Sequence, residues 1–172
     1  MASSTSTPTV TYGGVAMTNV LSLDNGVNRI DLFRLLAPAP GAQTVTVTLS
    51  GLGRRFLAGA ITYTGAYGFG EPVSAQSAGS TVASVSVVCT AADLVVDLLC
   101  QAGTSAVSLQ TERYAANFGS AGNNNRGAGS TAAGGASVGM GYTFINAVDW
   151  TLVGLAVLAL PRNSVLDVLS NA

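Results

Sequence analysis

Apolar and polar residues alternate strictly over residues 43–50, where Val45, Val47 and Leu49 point one way and Thr44, Thr46 and Thr48 the other. Successive side chains of a strand point to opposite faces, so the pattern predicts an antiparallel strand with one face in a core. Residues 82–89 repeat it, with Val85, Val87 and Cys89 against Ser84 and Ser86. Residues 94–100 are apolar on both faces except at Asp97. The last run places Leu152, Ala156, Leu158 and Leu160 on one face and Val153, Leu155 and Val157 on the other, before Pro161 stops it. A strand apolar on both sides is a central one, or one covered by a neighbour. Further strands are expected over residues 9–18, 31–36, 57–64, 106–114 and 137–146. Turns are expected at Asp24-Asn25-Gly26, at residues 37–41 and at Thr90-Ala91-Ala92-Asp93, and a loop over residues 65–70. Helical periodicity is weak. Eight or nine strands at this spacing predict an all-β fold, an antiparallel sandwich or barrel.

The strands define one domain over residues 10–161, flanked by tails at 1–9 and 162–172. Residues 117–135 are dominated by Gly, Asn, Ser and Ala and are expected to form one long loop. Such loops are either functional or mobile. Asn123, Asn124, Asn125 and Arg126 are the residues through which it would contact a partner; a flexible strand connection is the other reading.

Composition changes the picture chiefly through charge. Charged residues make up 9% of the 172, against about 25% in ordinary globular chains. All seven basic residues are Arg, and the net charge is -1. That leaves little field for nucleic acid or an anionic membrane. Apolar residues reach 48% and the mean hydropathy +0.46, yet aromatics are only 6%. Low charge with high hydropathy is the composition of a surface covered by other subunits; a secreted monomer with a Ser/Thr surface is the alternative. Residues 1–9 lack the basic start and apolar stretch of a secretory signal. The most apolar run, residues 152–160, is about half the length of a membrane helix.

The chain has no His, which removes Ser-His-Asp and Cys-His catalysis and His metal ligation. The eight acids are scattered, so a carboxylate pair for glycoside chemistry is not apparent. A non-enzymatic protein without cofactor or metal is expected. Asp24, Asn25, Asn28 and Asp31 place oxygen donors near one another as calcium ligands would be, but the Glu that closes a calcium loop is missing and Asp-Asn-Gly is a turn sequence. Asp97, alone among apolar residues, needs a partner; an ion pair with Arg113 or Arg34 is expected, with Glu112 in the same network. Arg54 and Arg55, at a strand end, are candidates for meeting an acidic patch on a neighbour. Cys89 and Cys100 lie too far apart along the turn to bridge and are expected as free buried thiols. Trp150 and Tyr142 are expected in the core.

The run Val10-Thr11-Tyr12-Gly13-Gly14-Val15-Ala16-Met17-Thr18, the strand end Thr62-Tyr63-Thr64-Gly65, the strand Asp93-Leu94-Val95-Val96-Asp97 and the closing run from Trp150 to Pro161 resemble β-sandwich domains of tailed-phage virion proteins and of surface proteins of high-GC bacteria. The resemblance spans roughly residues 9–161 and rests on strand grammar. It implies a jelly-roll-like sandwich. In size and character the chain is most similar to head decoration (cement) proteins. That similarity implies a virion structural protein on the head or tail surface, made in the host cytoplasm. Its partners would be identical subunits, often as trimers, and a major capsid or other virion protein. A carbohydrate- or ligand-binding module of a surface or tail-fibre protein is the competing expectation.

Overall fold

The computed structural model describes residues 8–50, 56–119 and 124–160. Arg54, Arg55, Asn123, residues 1–7 of the N-terminal tail and the whole C-terminal tail lie outside them. Every regular element among the described residues is a strand, and every ladder is antiparallel.

The strands are β1 (Thr9–Tyr12), β2 (Val15–Ala16), β3 (Thr18–Asp24), β4 (Arg29–Arg34), β5 (Val45–Thr48), β6 (Ala66–Phe69), β7 (Val73–Val87), β8 (Leu94–Ala102), β9 (Val107–Ser108), β10 (Thr111–Phe118), β11 (Asn125–Ala133) and β12 (Val138–Ala159). There are twelve among the described residues, where eight or nine strands were expected. Residues 9–18 break at the Gly13-Gly14 turn, and both Ala66–Phe69 and Asn125–Ala133 form strands where loops were expected. Conversely, residues 57–63 form no ladder; they lie across a sheet face, with Leu57 over Gly127 and Gly59 against Tyr114.

β12 is the centre. Its second half pairs β8 on one side and the first half of β7 on the other, and its end pairs β6. Residues 151–157 are buried on both faces, as their two-sided apolar pattern requires. Each large apolar side chain buried there contributes about 1.5–3 kcal/mol. The first half of β12 pairs the second half of β7 and, through Thr143 and Tyr142, β9.

The β7–β12 ribbon bends between these halves. Ser80 pairs Val148 and Val82 pairs Thr143, so five steps along β12 match two along β7. Such a bulge bends the ribbon. Gly79 supplies the matching bend in β7 with φ +93, a left-handed conformation that costs Gly nothing. The outer half thereby folds back over the inner half. Val87 and Met140 meet Val95 and Ala156, while Ala83, Tyr142 and Phe144 meet Leu99, Trp150 and Leu152. Gly154 makes room at this contact: a Cβ there would lie 2.8 Å from Val87 Cγ2. The turn at Thr90–Asp93 forms as expected, but β7 and β8 do not pair with each other; the turn joins the two layers.

The opposite face of the inner sheet receives the β3–β4 hairpin. Ile30, with Leu21, Leu23 and Leu32, packs on Cys100, Val153 and Leu98. Asn28 pins it there: its Nδ2 donates to the Asp149 carbonyl at 2.8 Å, and its Oδ1 accepts from Asn125 Nδ2 at 2.7 Å. The candidate calcium ligands are thus in use as turn and docking groups. Asp24 and Asn25 accept hydrogen bonds from the backbone N–H groups of residues 26–28, and Asp31 binds Arg29 at 2.8 Å. Strand β5, cleanest in sequence, belongs to a separate β2-β1-β5 sheet and is hardly buried, with Val45 37% exposed.

Candidate assembly surface

The folded-back layer turns one side to the core and the other outward. Its inward side chains are Ala83, Val85, Val87, Val138, Met140 and Tyr142. By the register, the outward positions are Val82, Ser84 and Ser86 on β7 and Gly139, Gly141 and Thr143 on β12, with Val107 beside Thr143. Leu109 continues the β9 row, donating its N–H to the Gly141 carbonyl and lying over that glycine. The result is a face of Ser and Gly bordered at one end by exposed Val82, Val107 and Leu109. Ile145, on the β12 bulge next to that border, is 80% exposed.

Residues 72–92, 98–111 and 127–148 contain no Asp, Glu, Lys or Arg. The whole folded-back layer is therefore without charge. Ordinary surfaces carry charge to stay soluble and to repel one another; a face with exposed aliphatics and no charge has the depleted character of an interface centre. Beside Val107, Thr143, Phe144 and Ile145 enclose a shallow recess of about 160 Å³.

The β12 edge next to this face is closed. Beyond β9, Gln110 takes over from the strand: its Nε2 donates to the Gly139 carbonyl at 3.0 Å, and its Oε1 accepts from the Gly141 N–H at 3.0 Å. One side-chain amide satisfies both groups as a peptide would, blunting an edge open to strand addition.

The residues selected from sequence behave differently. Asn125 and Arg126 lie on β11, which is buried between β10 and β8, and not in a loop. Gly, Ala, Ser and Thr look like loop residues, but here they are small enough for a strand covered on both faces. Asn125 is spent on Asn28, and Arg126 on Asn117 and Glu112 at 3.3 and 3.5 Å. Asn124, just before the strand, is half-buried. The expected Asp97–Arg113 ion pair is not made. Asp97 instead accepts from the Ser130 N–H at 2.7 Å, Ser130 Oγ at 2.8 Å and Tyr142 Oη at 2.9 Å. Arg113 lies at a β10 bulge and donates its Nε to Thr131 Oγ1 at 2.7 Å. Neutral donors from the two layers thus do the work assigned to a cation. Burial pushes the Asp97 carboxyl above its usual range, against the opposing pull of the Ser130 and Tyr142 hydrogen bonds.

The cysteines are both free, Cys89 half-buried and Cys100 buried, where desolvation pushes its thiol up to about 11. Tyr142 and Trp150 are core residues, as expected. Among the described residues, no cluster of three or more His, Cys, Asp or Glu is placed to hold a metal, and no helix is long and apolar enough to cross a membrane.

Neither a protein-family model, nor a curated protein, nor a solved structure matches the chain. The uncharged face was missed in sequence because its residues alternate with core residues along the same strands. The signal available was the three long charge-free stretches, which become one surface only after β7 and β12 fold back.

Proposed function

We propose that the protein is a non-enzymatic structural subunit that works by assembly, a virion protein of the decoration or cement kind that stabilises a capsid by binding its neighbours. The carrying observation is the uncharged outer face of the folded-back layer, with Val82, Val107, Leu109 and Ile145 exposed at one end. Its occupant is a second copy of the chain. Two such faces meet without like-charge repulsion and without desolvating any ion, which removes one of the costs of burying an ordinary surface. Repetition of modest contacts around a trimer, and again on the shell protein, would make attachment long-lived. In this reading the folded-back ribbon and the inner sheet are the two leaves of a jelly-roll-like sandwich, with the β3–β4 hairpin closing the outer side. The virion surface is the setting that the resemblance to decoration proteins supports.

Size-exclusion chromatography with light scattering tests this on the whole chain. The wild type is expected as a discrete oligomer, and Ile145→Lys or Val107→Asp as monomers with an unchanged β-sheet spectrum. A wild type that remains a monomer at high concentration would refute the proposal.

A further inference from the structure

The β2-β1-β5 sheet is separate from the main sheet, and its β5 side is open. Among the described residues, β1 pairs one edge of β5 and no strand pairs the other. The ladder tells which groups face outward. The Gly13 N–H donates to the Thr44 carbonyl at 2.9 Å, so these two residues form a hydrogen-bonded pair. Such pairs alternate with non-bonded ones along an antiparallel ladder. Thr46 and Thr48 therefore form the next bonded pairs, with Thr11 and Thr9, and the N–H and C=O groups of Val45 and Val47 point away from β1. The Val10 carbonyl agrees with this phase: it turns from β5 and accepts from the Met17 N–H at 2.8 Å.

Three other edges of the fold carry protection. β10 has Glu112, Arg113 and a bulge between Glu112 and Tyr114. β12 has the Gln110 amide across it. β7 bends at Gly79, where its register with β12 breaks. β5 has no charge, proline, glycine or bulge, and Val45, Thr46 and Thr48 are exposed. Charges, bulges and covering groups are what keep natural edges from pairing, so an edge without them is a template for another strand.

The sequence of the edge says which strand it fits. Thr44-Val45-Thr46-Val47-Thr48 reads the same in both directions. A two-fold axis at Thr46 sets Val45 opposite Val47 of a second copy and Thr44 opposite its Thr48. We propose that the β5 edges of two copies pair antiparallel about this axis, joining two three-stranded sheets into one of six strands. Val45 and Val47 of each copy exchange four hydrogen bonds through the groups that face outward. Both faces continue across the join. One row runs Tyr12, Val45, then Val47 and Val10 of the second copy; the next runs Thr11, Thr46, then Thr46 and Thr11 of the second copy. Cross-strand pairs of β-branched residues and of threonines are favourable, and self-complementary two-fold contacts are the commonest in oligomers. One short strand buries far less than the roughly 1,200 Å² at which stable interfaces begin, so this contact does not hold a dimer through chromatography alone. It links copies that another contact keeps close. That use rests on the assembly reading above; the pairing itself does not.

The test is disulfide trapping on the whole chain. Residues facing each other in a non-hydrogen-bonded pair have Cα atoms about 4.5 Å apart, within reach of a disulfide. Thr46 faces its twin in such a pair on the axis. Thr46→Cys is expected to form a covalent dimer on mild oxidation at least about tenfold faster than Thr44→Cys or Thr48→Cys, whose twins lie about 13 Å apart along the strands. An equal mixture of Thr44→Cys and Thr48→Cys should cross-link as mixed dimers. All three threonines are exposed, so the fold tolerates the change. Mass spectrometry locates the 46–46 bond and separates it from any link through Cys89, which is half-buried. The same ranking of positions is expected in an Ile145→Lys background, which tells failure of this pairing from failure of the outer-face contact. Equal trapping at all three positions, or no 46–46 bond in either background, would overturn the proposal.

Discussion

Replacing Asp97 by Asn should be nearly neutral and replacing it by Ala costly, although both remove the charge. Asp97 is 2% exposed, and its Oδ1 accepts from both the Ser130 N–H and Tyr142 Oη while its Oδ2 accepts from Ser130 Oγ. Asn keeps an oxygen at the Oδ1 position, so the first two bonds survive. Its Nδ2 takes the Oδ2 position, and the Ser130 hydroxyl, which can donate or accept, turns to receive it. The bonds lose their charge assistance, but a buried charge is no longer desolvated, and the two changes offset each other. Asp97→Asn is expected within about 1 kcal/mol of wild type. Ala removes the acceptor altogether. Ser130 Oγ can rotate away, but the Ser130 N–H and the Tyr142 hydroxyl remain buried and unsatisfied, at about 1–3 kcal/mol each. The loss of about 2–6 kcal/mol lowers Tm by about 5–20 °C for a chain of this size. Thermal unfolding followed by circular dichroism separates the two. The pH dependence supplies a second check. The folded-state carboxyl sits above its ordinary value, so the folded chain binds this proton more tightly than the unfolded one. Wild type should then gain on Asp97→Asn as pH falls from neutral through that raised value, and lose on it as pH rises again. If Asn proved as damaging as Ala, the charge itself would be essential and the account by neutral donors would be wrong.

Asp93 should show the reverse pH behaviour. Its carboxylate accepts from the Thr90 N–H, the Ala159 N–H and Thr90 Oγ1, which hold it below its usual range; the stabilisation is present above the ordinary carboxylate value and lost as pH falls through the folded one, so Asp93→Ala and wild type should converge in acid melts. Gly154→Ala should cost about 1–3 kcal/mol by overpacking Val85 and Val87, and adding Val87→Ala should recover part of it in denaturant titrations. Cys100, with its thiol pushed up to about 11 and buried, should resist alkylation at pH 8 until the protein is unfolded; mass spectrometry of the native and denatured protein reads this directly.

The strands with two-sided apolar patterns were legible in the sequence, and the reason is local. In β8 and in the second half of β12 each residue's neighbours two positions away report the same environment, so the pattern states the burial. β5 shows where this fails: its Val–Thr alternation specifies a strand but not how deeply it is covered, and β5 lies in an outlying sheet. β11 fails in the other direction. Residues 127–129, Gly-Ala-Gly, carry no strand signal of their own. They are small because Leu57 and the Tyr114 ring press on the two glycines from one side and the core receives Ala128 on the other. Removing residues 119–134 would therefore delete a central strand rather than trim a loop. The partner of Asp97 was equally beyond local reading, since Ser130 and Tyr142 arrive from strands 33 and 45 residues away in sequence. The contacts of Gly59 with Tyr114 and of Leu57 with Gly127 were likewise beyond local reading, since they depend on residues 57–63 lying across β10 and β11.

The central position of β12 has a consequence for synthesis. β6, β7, β8 and β9 all pair with it, and it comes after every one of them in the chain. While the ribosome is still making residues 138–159, β7 and β8 have no partner on the sides that β12 will occupy. Their valines and leucines wait with open edges and almost no charge to keep nascent chains apart. Folding of this kind, governed by distant pairings, is slow and prone to association. The same lack of charge on which the proposed assembly rests would leave the unfinished chain open to association until its last long strand emerges.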